Sequence, residues 1–83
     1  MKFCVITFRS VTPAQRGEGA LKRAGIQCLL QRTPRWMEEQ GCGYSLRLPC
    51  RDMERALGVL SGKNIPYRRV YGLQEDGMME PMP

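Results

Sequence analysis

The segment Lys2-Phe3-Cys4-Val5-Ile6-Thr7-Phe8 opens the chain with apolar or β-branched residues at nearly every position. In an extended backbone, successive side chains point to opposite faces, so both faces of this segment would be largely apolar. Such a pattern is typical of a central strand that is covered on at least one side. We therefore predict that this strand lies inside a sheet and that the rest of the fold is built around it.

Helical and extended patterns alternate along the rest of the chain. Thr12 is a good N-cap, Pro13 suits the first helical position and Gly25 suits the position just after a helix, so a helix is predicted between them. Gly17 and Gly19 would weaken it, and we interpret them as allowing a close approach to the sheet. The later patterns predict, in order, strand Ile26–Arg32, strand Gly43–Leu48, a helix over about Arg51–Ser61 and strand Ile65–Leu73.

This order, β-α-β-β-α-β, predicts the α+β class with a ferredoxin-like antiparallel sheet and two helices on one face. Residues 2–73 would form a single domain. Residues 74–83 are polar, acidic and rich in methionine without periodicity, which predicts a flexible C-terminal tail. The same plan carries many unrelated activities, so the fold leaves the function open.

Composition sets limits on location and partners. The first apolar run is too short for a signal peptide or a membrane span, which predicts a cytoplasmic protein without a membrane partner. Thiols in that compartment are kept reduced, so the cysteines at positions 4, 28, 42 and 50 are expected to be free. The formal charge of +5 predicts a basic surface or an anionic partner.

The tripeptide Gly41-Cys42-Gly43 is the most distinctive chemical feature of the sequence. Two glycines leave the thiol uncovered, and its predicted place is the junction of a loop and a strand. Reactive thiols lie in exposed, electropositive surroundings, which Arg35 in the same loop and Arg47 on the following strand could provide. Cys42 and Arg35 are therefore the candidate reactive pair, with Gly41, Gly43 and Arg47 in supporting roles. The alternative is an ordinary loop cysteine between two turn glycines.

The other cysteines have plainer explanations. Cys4 and Cys28 lie on apolar strand faces, where a thiol behaves as a small hydrophobe. Cys50 precedes a predicted helix N-terminus, which lowers a thiol pKa, so it could act on an oxidised Cys42 or simply pack beside Pro49. The chain has no histidine and no pair of cysteines with C-x₂-C spacing, so neither a zinc site nor any other cofactor is predicted.

Two functions without covalent chemistry remain as alternatives. An exposed sheet face bearing Tyr67, Arg69 and Tyr71, together with an open edge strand, would suit a regulatory or protein-binding module or a homodimer. RNA binding is less favoured, because Gly43–Leu48 lacks the basic and aromatic pattern of an RNA recognition motif.

Several segments together resemble a known family of small bacterial proteins, the Se/S carrier protein-like family, which is catalogued as a domain of unknown function. The resemblance covers about residues 2 to 73, and Thr33-Pro34-Arg35 followed by Cys42-Gly43 is its most specific part. The other matching segments are Val5-Ile6-Thr7-Phe8, Leu21-Lys22-Arg23-Ala24-Gly25-Ile26 and Leu46-Arg47-Leu48-Pro49. The chain departs from the family in the loop before the cysteine, which is usually short and rich in serine.

The resemblance implies a carrier that holds sulfur or selenium on Cys42 as a persulfide or selenosulfide, with Arg35 and Gly43 matching the neighbours of the family's cysteine. Such a protein is at most a thiol-based relay rather than a true enzyme. Its partners would be a cysteine desulfurase or a selenium donor protein.

Overall fold

The structure, a computed structural model, describes residues 3–32, 43–73 and 79–81. Its elements are β1 (Phe3–Phe8), α1 (Val11–Arg23), β2 (Leu29–Arg32), β3 (Tyr44–Pro49), a short 3₁₀ helix (Cys50–Asp52), α2 (Met53–Gly62), β4 (Val70–Leu73) and β5 (Met79–Pro81). The strands form one sheet in the order β2-β3-β1-β4-β5, and each neighbouring pair is antiparallel. The predicted α+β class, with an antiparallel sheet and two helices, is confirmed. The more specific ferredoxin-like assignment stays a prediction at this point.

β1 lies in the middle of the sheet, as its two apolar faces predicted. Cys4, Ile6 and Phe8 are fully buried against the helices, and Val5 and Thr7 on the other face are also buried. The core on the helical side adds Leu46 and Leu48 from β3, Ala14, Ala20 and Leu21 from α1, and Met53, Ala56 and Leu60 from α2. Both helices therefore pack on the same face of the sheet.

α1 begins slightly earlier than predicted. Ser10 is the N-cap, with an extended backbone, and Val11 is the first helical residue. Pro13 then occupies the third helical position rather than the first, which costs nothing because the first four backbone N–H groups of a helix have no partner within it.

Within the part of the chain that the structure describes, no helix is long and apolar enough to cross a membrane.

The two helices end in the same way. Gly25 follows α1 with a φ of 81°, and Asn64 follows α2 with a φ of 56°. In each case the next residue, Ile26 or Ile65, donates its backbone N–H back into the helix over 2.9 Å and buries its side chain in the core. This is the Schellman arrangement, in which a left-handed residue turns the chain and an apolar residue closes the end. The predicted role of Gly25 is confirmed.

These helix ends explain why β2 and β4 are shorter than predicted. Ile26 and Ile65 are apolar because they close the helix ends, and the regular strands start only at Leu29 and Val70.

β3 is displaced by one residue from the predicted Gly43–Leu48. The boundary of the domain at residue 73 and the flexibility of residues 74–83 stay predictions, although Met79–Pro81 of that segment pair with β4.

A disulfide joins Cys4 of β1 to Cys50 at the start of the 3₁₀ helix. The prediction that both are free thiols is wrong. Antiparallel pairing sets Phe3 opposite Pro49, so the residue that follows β3 arrives beside Cys4, with 5.0 Å between the two Cα atoms. Disulfides are uncommon in reducing compartments, so the cytoplasmic location stays a prediction.

The two glycines of α1 should respond oppositely to substitution. A Cβ atom at Gly17 would lie 3.2–3.3 Å from side-chain atoms of Leu60, Leu46 and Phe8, whereas at Gly19 it would meet only the Arg23 side chain, at 3.5 Å or more. Gly17→Val should lower the free energy of unfolding by about 1–3 kcal/mol through overpacking. Gly19→Ala should raise it by up to about 1 kcal/mol through helix propensity. Urea denaturation measures both; an equal response of the two variants would contradict the close approach at Gly17.

Reduction of the Cys4–Cys50 disulfide should destabilise the protein, because the bond closes a loop between residues 46 apart in sequence. We expect a loss of about 2–5 kcal/mol in the free energy of unfolding when reductant is added. Cys50→Ser should show the same loss without reductant and no further response to it. Cys28→Ser is the matched control and should keep the full response. A wild-type protein that is equally stable with and without reductant would refute the disulfide.

Candidate functional site

The predicted reactive residues Cys42, Arg35 and Gly41 lie outside the described residues, but the segment that contains them is anchored on both sides. β2 ends at Arg32, and Gly43 leads directly into β3 at Tyr44. Arg32 and Tyr44 lie opposite each other in neighbouring strands, and Tyr44 also lies opposite Phe8, the last residue of β1. Gly43, the covalent neighbour of Cys42, is therefore at the end of the sheet where β1 and β2 end and β3 begins. We call this end of the sheet, as distinct from its outer strands, the loop edge.

Arginine side chains gather at the loop edge. Arg9 follows the end of β1, and Arg68 and Arg69 come just before β4, which pairs with β1 from that side. The guanidinium of Arg32 lies over the Tyr44 ring, 5.8 Å from its centroid, which is a cation–π contact. All four arginines are exposed. The described residues therefore give the loop edge positive charge, and positive surroundings favour a thiolate.

The described acidic side chains do not offset this charge at the loop edge. Asp52 and Glu54 belong to the segment after β3, at the opposite end of the sheet. Glu18 is in the middle of α1, where it forms an ion pair with Lys22 at 3.4 Å. This uneven distribution of charge between the two ends of the sheet follows from the chain connectivity, since β1 ends at the same end of the sheet at which β4 begins.

Sequence reasoning missed the contribution of Arg32, Arg9 and the pair at 68–69. The chain separates these residues widely, and none of them belongs to a recognisable motif. Only strand register brings them to one edge. A cross-strand pairing of the second and third predicted strands could have placed Arg32 opposite Tyr44, but the register of that pairing was not evident from the sequence.

Arg47, predicted to support Cys42, points away from the helices. Its guanidinium lies 4.4 Å from the centroid of the Phe3 ring, and Phe3 is at the end of β1 far from the loop edge. Its Nε atom is buried without a hydrogen-bond partner among the residues described here. A supporting role for Arg47 beside Cys42 stays a prediction, and the contacts that the structure shows connect it to Phe3 instead.

Cys28 is the free cysteine within the described ranges, and it is a poor nucleophile. Its side chain is partly buried against the core, although Cys28 precedes β2 instead of lying on the strand face predicted for it. Its thiol donates a weak hydrogen bond to the carbonyl oxygen of Glu18 at 3.9 Å. Burial raises the pKa of the Cys28 thiol, and the charge of Glu18 raises it further, while Lys22 has an opposing effect. At neutral pH Cys28 is therefore a protonated thiol.

The disulfide removes two more sulfurs from consideration. Cys50 is bonded to Cys4, so in this state it has no free thiol with which to act on an oxidised Cys42. Of the four cysteines in the chain, two are bonded together and Cys28 is held protonated. Cys42 is the remaining candidate for thiolate chemistry.

The sheet face predicted for partner binding is only partly available. Tyr71 is buried, with 7% of its surface exposed, so its predicted exposure is wrong. Tyr71 lies on β4 opposite Val5, which is itself fully buried. Tyr67 is 41% exposed and Arg69 is also exposed.

Comparison with known proteins identifies the family. Neither the curated proteins nor the solved structures include a match to this chain. A family model described as Putative Se/S carrier protein-like matches residues 3–72, which include β1 through most of β4. The matched range contains Cys42, the loop edge and both helices. The chain therefore belongs to the Putative Se/S carrier protein-like family.

Proposed function

We propose that the protein carries sulfur or selenium as a persulfide or selenosulfide on Cys42. Family membership over residues 3–72 is the observation that carries this proposal, and it supports a carrier role. The charge distribution adds to it, because Gly43 enters β3 at an edge where exposed arginines gather. A thiolate is the form of cysteine that attacks sulfur, and positive surroundings favour that form.

The transfer is a thiol–persulfide exchange. The Cys42 thiolate attacks the outer sulfur of a persulfide on a donor protein, the donor's S–S bond breaks, and the donor leaves as a thiolate. The new bond joins the Cys42 sulfur to the transferred atom, and no external oxidant is required. An acceptor thiolate then attacks the outer atom and Cys42 leaves as a thiolate. Selenium follows the same path from a donor selenosulfide.

Each residue has a defined part in this scheme. Cys42 is the nucleophile and Arg35 stabilises its negative charge, while Gly41 and Gly43 leave room for the donor's sulfur. Arg32 adds a positive charge that its contact with Tyr44 keeps at the end of β2. The donor would be a cysteine desulfurase or a selenium donor protein.

A second candidate is a binding module without covalent chemistry. Among the strands that the structure describes, β2 is the outermost on its side of the sheet, and Leu29 on it is 57% exposed. An exposed apolar residue on an edge strand suits pairing with a second chain, including another copy of this one. Here the reactivity of Cys42 would be that of an ordinary cysteine.

The strand order also supports the predicted ferredoxin-like plan. Helices connect β1 to β2 and β3 to β4, and the order β2-β3-β1-β4 keeps β1 and β3 in the centre. β5 is then an addition at the outer side of β4.

Sulfur loading tests the carrier function directly. Incubation with a cysteine desulfurase and cysteine should add the mass of one sulfur atom to the intact protein, because Cys42 takes the donor's outer sulfur. Cys42→Ser should gain none. Cys28→Ser, the matched control, should load like the wild type, since its thiol is protonated and partly buried. Equal loading of wild type and Cys42→Ser, measured by mass spectrometry, would refute the proposal.

The pH dependence of alkylation tests the electrostatic part. Cys42 should react with iodoacetamide at a lower pH than Cys28, because burial raises the pKa of Cys28. Arg32→Gln should move the midpoint of the pH dependence of Cys42 alkylation upward by about half a pH unit, since it removes a positive charge from the loop edge. Arg51→Gln is the matched control, because Arg51 is exposed at the opposite end of the sheet.

Peptide mass spectrometry would follow each cysteine separately. If the alkylation midpoint of Cys42 lies at or above the pH of the Cys28 midpoint, the carrier function is contradicted and the binding module is favoured. Equal shifts in the two arginine variants would show that the effect of Arg32 is not local.

A further inference from the structure

A cleft of about 480 Å³ opens at the loop edge, beside the end of β1. Arg9, Ser10, Tyr67, Arg68 and Arg69 line it, and two prolines complete the described part of its wall. The volume is within the range of small-molecule binding sites in proteins. Three guanidinium-bearing residues and one aromatic ring in a single concave surface define the chemistry that it can recognise.

The backbone around the cleft is fixed by the buried residue Thr7. The Thr7 backbone N–H donates to the Arg69 carbonyl oxygen at 2.8 Å, and the Arg68 N–H donates to the Thr7 carbonyl oxygen at 2.7 Å. The Thr7 hydroxyl accepts a hydrogen bond from the Arg69 N–H at 3.0 Å and lies 3.3 Å from the Arg69 carbonyl oxygen, to which it donates. The backbone of Arg68 and Arg69 is therefore held in register with β1, beside Arg9.

Two of the cleft's arginines, Arg9 and Arg69, have no described counter-charge. Among the described side chains, none forms an ion pair with Arg9 or Arg69. α1 begins at the rim with Ser10 as its N-cap, and its first turn contains no acidic residue. An unpaired guanidinium is a strong, geometrically specific donor to the oxygens of a phosphate group.

We propose that this cleft binds a phosphorylated small molecule. Arg9 and Arg69 hold its phosphate group, and the half-exposed ring of Tyr67 forms a flat wall for the rest of the ligand. Three arginines and a tyrosine ring would also suit RNA, but a concave cleft of this volume fits one phosphorylated ligand better than an extended strand. None of the described lining residues has a part in the proposed carrier scheme, and the assignment of this site does not rest on the carrier function.

The test is a titration of the full chain by isothermal calorimetry at low ionic strength, with inorganic phosphate, adenosine monophosphate and adenosine as probes. Phosphate and the nucleotide should bind, the nucleotide more tightly, and adenosine should not bind measurably. Arg9→Gln/Arg69→Gln should raise the Kd of both anions by about tenfold or more, since two charge-assisted contacts are lost. Arg16→Gln/Arg23→Gln is the matched control, because it removes two exposed arginines of α1 and the same net charge.

The control pair should bind phosphate like the wild type. Equal weakening in both double variants would mean that overall charge alone attracts the anion, and it would overturn the site. So would adenosine binding as tightly as the nucleotide, or a short single-stranded RNA that binds while both anions do not. Cys42→Ser is expected to bind phosphate normally, so this proposal and the carrier proposal can fail separately.

Discussion

Pairing of β1 with strands on both sides sets the geometry of both ends of the sheet. Its backbone forms ladders with β3 and β4, and its side chains are buried on both faces. The register with β3 sets Phe8 beside Tyr44 at one end and Phe3 beside Pro49 at the other. The first of these pairs fixes the loop edge, and the second brings Cys50 to Cys4. A shift of one residue would turn every side chain of β1 to the other face and undo both.

Close packing of α1 on this strand adds a second constraint. Gly17 leaves room for side chains from β1, β3 and α2 to meet the helix backbone, so the helix, the strand and the second helix form one core. Because α1 follows β1 after only two residues, this packing also positions Arg9 and Ser10. The arrangement of charges at the loop edge is thus a consequence of how the apolar core packs.

The four cysteines have different roles, which are set by their positions in the fold. Cys4 and Cys50 are bonded across the far end of the sheet, and Cys28 is held as a protonated thiol beside α1. Cys42 belongs to the segment that joins β2 to β3 at the arginine-rich loop edge. In the proposed function, the bonded pair stabilises the fold and Cys42 does the chemistry. The proposed anion site uses the same edge but other residues.

The local features of this fold follow from short stretches of the chain, because they depend on near neighbours. The apolar faces of residues 2–8, the left-handed position of Gly25, the two helices and the family resemblance of Thr33–Arg35 with Cys42-Gly43 could all be predicted from the sequence. The disulfide, the burial of Tyr71 and the gathering of arginines far apart in the chain arise only when the strands pair and pack. These depend on strand register and on which residues end a helix, as at Ile26 and Ile65, and neither is a property of a short stretch of sequence.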